Sequence, residues 1–126
     1  MEVLINPYKR TIGNMSRESI IRFQLVLHCY LNDISLTAGK LQCLTILGMD
    51  GKSDLTKFCE KLAEEKVFTS PDSSRNALDH MEDNKLIVKA GKYRKTIQLH
   101  PDMKIQTVGN IWVDIDMLCR EVNTDN

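Results

Sequence analysis

A chain of 126 residues, 42% apolar and 27% charged, is long enough for one domain with a core of its own and too short for two. Those proportions exclude wholesale disorder, and the absence of an apolar run of ~18 residues and of a secretory signal points to a soluble, cytoplasmic protein. Seventeen basic residues balance 17 acidic ones, which excludes a uniformly polycationic nucleic-acid binder, so any affinity for phosphate has to be local.

Residues 1–15 (MEVLINPYKRTIGNM) show no sustained period and read either as a short strand and loop or as an arm that orders against a partner. Ser16 is placed to cap a helix reaching Asp33, with Glu18 complementing the dipole in its first turn. Ile20, Phe23, Leu27, Tyr30, Leu31 and Ile34 mark one stripe of that helix, while Ile21, Leu25, Val26 and Cys29 leave little polar surface elsewhere. A helix apolar nearly all round is buried on two faces. The second face belongs either to another subunit or protein, or to terminal segments of the same chain.

Thr37 caps the next helix, in which Leu41, Leu44 and Leu47 recur and which is expected to end near Gly48, ahead of the Asp50-Gly51 turn. Ser53 is expected to cap a third helix with Leu55, Phe58, Cys59 and Leu62 inside. Ser70 and Pro71 supply the cap and first position of a fourth, which carries Leu78 and Met81 inward and runs to Asp83. From Leu86 the period becomes two: Leu86, Val88 and Ala90 point one way, Ile87 and Lys89 the other. Gly91-Lys92 supplies a turn, and Thr96, Ile97, Gln98 and Leu99 alternate back.

Beyond His100-Pro101-Asp102 the pattern is ambiguous. Val108, Ile111, Trp112, Ile115, Leu118, Cys119 and Val122 fit a helical stripe, whereas Gly109-Asn110 offers a hairpin turn between β-branched runs. Helix is preferred over 104–122, followed by a polar tail, 123–126. The expected fold class is therefore α+β: a winged helix-turn-helix, with a helical core and a two-stranded β-hairpin wing. Its core occupies 36–99 of a single domain spanning 16–122, flanked by helical N- and C-terminal segments.

Cys29, Cys43, Cys59 and Cys119 form no C-x-x-C pair and lie in apolar helical patterns, which predicts buried, reduced thiols. His28, His80 and His100 do not cluster, so neither a metal nor a cofactor is expected. Gly51-Lys52-Ser53 looks like the end of a phosphate-binding loop, but position 46 is Ile where the first glycine belongs, and a helix precedes it where a strand is needed. Asp114 and Asp116 read as a solvated pair. With no nucleophile elbow and no zinc-protease motif, no catalysis is expected.

Leu36-Thr37-Ala38-Gly39-Lys40-Leu41, Leu62-Ala63, Ser70-Pro71, Ala77-Leu78-Asp79 and Leu86-Ile87 together resemble the MarR-type winged helix-turn-helix proteins over roughly 36–99. Two glycines usual in that family are missing. Lys66-Val67-Phe68-Thr69 stands before the fourth helix and Asn84-Lys85 after it, where Asn84 is the residue suited to a left-handed helix end. The resemblance implies a sequence-specific, double-stranded DNA-binding transcriptional regulator that dimerises through terminal helices. It assigns Ser73, Ser74, Arg75 and Asn76 to base edges and phosphates in a major groove. Lys89, Lys92, Tyr93, Arg94 and Lys95 would form a basic wing on the backbone or in a minor groove. Asp72, Asp79, Glu82 and Asp83 put acid on the same helix. That acid, with net neutrality, favours the rival class: a non-enzymatic adaptor that docks proteins in a larger assembly such as a phage particle, using the 16–33 helix as its contact or homodimer face.

Overall fold

The computed structural model describes residues 9–11, 16–107 and 112–114. Helix α1 (Arg17–Leu31) starts where Ser16 accepts the amide of Ser19 at 3.1 Å. Its buried stripe is Ile21, Leu25 and Cys29 with Ile20 beside it, whereas Leu27, Tyr30 and Leu31 of the expected stripe are exposed. Both stripes are apolar, so hydrophobicity did not distinguish them; the seat on the next helix did. That helix, α2 (Ala38–Asp50), is capped by Thr37 and carries Gly48 against Ile21. A Cβ at position 48 would lie 2.8 Å from Ile21 Cγ2 and 3.1 Å from Leu99 Cδ1, so the bare backbone is the socket for Ile21. Gly48 therefore does not end the helix as expected. It sits inside, and α2 stops at Gly51, whose φ of 82° suits only glycine.

Ser53 does not cap the third helix. Asp54 does, accepting the Lys57 amide at 3.0 Å at the start of α3 (Leu55–Glu64). Ser53 and Asp54 instead form a short strand, β2, paired with Ile97 and Thr96. The inner face of α3 is Leu55, Phe58, Cys59 and Leu62, as its spacing predicted. Helix α4 (Pro71–Asp83) has the predicted bounds, cap and inward Leu78 and Met81. Strands β3 (Ile87–Ala90) and β4 (Thr96–Leu99) follow, with Ile87 opposite Leu99 and Ala90 opposite Thr96. The two strands of the expected hairpin pair as predicted, and β2 joins them in a three-stranded antiparallel sheet in the order β2-β4-β3. Ile87 and Ile97 are fully buried and join the side chains of α1 to α4 in one core. Four helices and this small sheet make the α+β class plain, in an arrangement compatible with a winged helix.

Three helices end on a left-handed residue that is not glycine: Asp33, Lys66 and Lys85, with φ of 57°, 60° and 59°. In each the next amide reaches back to the last turn, as Leu86 N does to Met81 O at 2.9 Å and Val67 N to Leu62 O at 2.9 Å. The left-handed residue after α4 is Lys85 and not Asn84, which has φ −90°. A side chain in that conformation costs about 1–2 kcal/mol. Lys85→Gly is accordingly expected to raise stability by about 0.5–1 kcal/mol, after the extra chain entropy of glycine is set against it, read as a higher urea midpoint with unchanged slope.

The helix expected over 104–122 is not found where the chain is described. Lys104–Thr107 has no regular structure, and Trp112–Asp114 is a strand, β5, antiparallel to β1 (Lys9–Thr11). The apolar, β-branched run satisfied both periods, and a partner strand from the far end of the chain selected the extended one. At 9–11 the strand alternative for the N-terminal segment holds. Gly109-Asn110, Asp116, Cys119 and the 123–126 tail lie outside the described residues. Cys29, Cys43 and Cys59 are buried free thiols, and burial, with Cys59 as neighbour, pushes Cys43 up to about 12. Among the described residues no helix is long and apolar enough to cross a membrane.

Candidate nucleic-acid interface

The N-terminus of α4 is built from hydroxyls. Ser70 Oγ accepts the Ser73 amide at 3.1 Å and donates to Ser73 Oγ at 3.1 Å, and Thr69 Oγ1 lies 3.1 Å from the same Ser73 oxygen. Ser73 is therefore half-buried in a hydroxyl cluster that secures the cap. Ser74, expected at the surface, is fully buried, and its hydroxyl donates to the Ser70 carbonyl at 3.1 Å. It shares the inward stripe with Leu78 and Met81 at helical spacing, and its small size admits it to the core. Ser74 is thus withdrawn from any contact with DNA.

Asn76 is exposed and Arg75 half-buried. Burial pushes the Cys59 thiol up, and the positive charges of Arg75 and Lys89 partly oppose it. The Lys40 ammonium of α2 lies 3.0 Å from His80 Nδ1, which ties α2 to α4.

The largest departure concerns the wing. Lys89 stands opposite Ile97 in the register and turns with it toward α4, so its side chain is only 10% exposed. Its ammonium pairs with Asp79, and with Glu82 at 3.5 Å. Arg94 pairs with Glu82 as well. Two of the expected wing cations are therefore folded back onto acids of α4, and Lys89 is not on the outer surface. Asp79 and Glu82, read from the sequence only as acid on the same helix, are the partners of these cations. Their signal was present, two acids at i, i+3 followed by a hairpin with spaced cations, but the pairing needed the register of β3 and β4.

Lys92 and Lys95 remain exposed and enter none of the ion pairs among the described residues. The turn that carries them is longer than Gly91-Lys92 alone. Gly91 has φ 81°, Lys92–Arg94 form a short 3-10 turn, and Arg94 N bonds Gly91 O at 3.1 Å. The Lys95 carbonyl accepts the Leu55 amide at 2.7 Å, which fastens the root of the wing to the start of α3. Among the described residues no group of three or more His, Cys, Asp or Glu side chains is arranged to hold a metal ion.

Compared with known proteins, the chain matches no family profile, no curated sequence and no solved structure.

Proposed function

We propose that the chain is a double-stranded DNA-binding regulator of the MarR-like winged helix-turn-helix kind, with α4 as recognition helix and residues 91–95 as the tip of the wing. The observation that carries this is the order of elements from α2 to β4, helix, short strand, helix, helix, hairpin, with α4 joined to the wing by the Lys89 and Arg94 ion pairs. In this reading Asn76 meets an adenine edge, Arg75 a guanine or a phosphate, and Lys92 and Lys95 the backbone. Binding is modest in strength, because Lys89 and Arg94 are paired with acids of α4.

The test is fluorescence anisotropy on a labelled random duplex across a salt series, with Arg75→Ala and Lys92→Ala/Lys95→Ala alongside. Binding that weakens with salt, with a slope reduced by about two in the lysine variant, supports the reading. No binding at low salt removes it.

A second reading is favoured by one observation: Val26, Leu27, Tyr30 and Leu31 are exposed on α1, with Tyr30 at 80% and Leu31 at 70%. Such a face suits a winged-helix adaptor that docks a second copy or an assembly protein through α1. Absence of duplex binding together with sedimentation above the monomer mass at high micromolar concentration would favour it.

A further inference from the structure

Tyr93 has a bulky side chain in the left-handed region, φ 59° and ψ 18°, yet the residue is 78% exposed, so no burial in the core compensates for the conformation. The backbone beneath it is braced on three sides: by the Arg94 N to Gly91 O bond, by the Lys95 carbonyl on Leu55, and by Arg94 on Glu82. The ring is therefore presented on a rigid support and not on a loose loop tip. Strained residues held by their surroundings concentrate at ligand clamps. The Lys92 ammonium lies 5.3 Å from the ring centroid, and Lys95 is exposed two positions further on. A largely exposed ring with one ammonium over it and a second lysine close by fits a planar base on its other face, whose neighbouring phosphates meet the lysines.

Inside a duplex both faces of a base are already stacked, so an exposed ring at a hairpin tip finds a free face only where a nucleotide is unpaired. We infer that Tyr93 is a stacking platform for an unpaired base, and that the interface recognises a duplex flanked by single-stranded nucleotides. This rests on the DNA-binding reading of α4 and the wing, and specifies the form of DNA it takes.

The experiment compares a blunt duplex with the same duplex carrying a short thymidine overhang, on either strand, using the full chain and its Tyr93→Ala and Tyr93→Phe variants. A 2-aminopurine at the first unpaired position reports stacking. The expected result is about tenfold tighter binding to one of the overhang duplexes, with quenching of the 2-aminopurine. Tyr93→Ala abolishes the difference between the two forms and the quenching, and Tyr93→Phe retains both. Equal affinity of the unaltered chain for blunt and overhang duplexes overturns the inference while leaving DNA binding intact. So does an equal loss on both in Tyr93→Ala, or a Phe variant as weak as the Ala variant. No binding to either form at low salt overturns the DNA-binding reading and the inference together.

Discussion

Replacing Asp79 with Asn and Glu82 with Gln is expected to tighten duplex binding by about ten- to a hundredfold at low salt and to steepen its salt dependence by about two. The two carboxylates hold Lys89 and Arg94 on α4. Without them both cations become available to phosphate, each adding roughly 0.9 to the slope of log affinity against log salt. Arg94 is already largely exposed and needs only to turn. Lys89 is not, but its flexible four-carbon stem carries the ammonium to solvent once its partners are gone. The substitutions cost some stability, since exposed pairs contribute about 0.2–1 kcal/mol and the better-buried Lys89 pair more. Glu60→Gln, an exposed acid of α3 outside these pairs, serves as the control. Anisotropy across a salt series reads the result. An unchanged affinity and slope would mean that this face never meets a phosphate backbone, and the adaptor reading would then stand.

Gly48→Ala is expected to destabilise the protein by about 1–2 kcal/mol, reversing the usual gain of ~1 kcal/mol for that change in a helix. The new methyl would sit 2.8 Å from Ile21 Cγ2, a carbon on a branched Cβ that cannot turn away without bringing another branch toward the same place. Overpacking of this kind costs about 1–3 kcal/mol. Ile21→Ala alone is expected to cost about 2–5 kcal/mol, and in that background Gly48→Ala should be neutral or stabilising because the cavity receives the methyl. Urea unfolding of the four proteins in the cycle measures the coupling. A Gly48→Ala variant more stable than the unaltered chain would mean that α1 does not seat on α2 at this point.

These two sites also show how far sequence reasoning reaches. The acids of α4 were visible as a charge on the wrong helix for DNA, and the cations of the hairpin as a basic wing. That they neutralise one another depends on which face of β3 turns inward, and a one-residue change of register would have sent Lys89 to solvent. The burial of Ser74 has a related cause. A serine is polar by type but small in volume, and with its hydroxyl bonded to the Ser70 carbonyl it is admitted to a core stripe at little cost.

Local chemistry was sufficient wherever it had a single solution. Ser16, Thr37 and Ser70 cap the helices they were expected to cap, and α3 has one apolar face and buries it. The bounds of α4 follow from Pro71 at one end and the change of period at the other. Where two solutions were equally good locally, long-range packing chose between them. Gly48 selected the stripe of α1 that is buried, β4 drew Ser53 and Asp54 into a strand, and Lys9–Thr11 drew Trp112–Asp114 into another. In each case the deciding partner lies far along the chain. Its contribution, a missing Cβ or a row of free backbone amides and carbonyls, leaves no mark on the periodicity of the segment it organises.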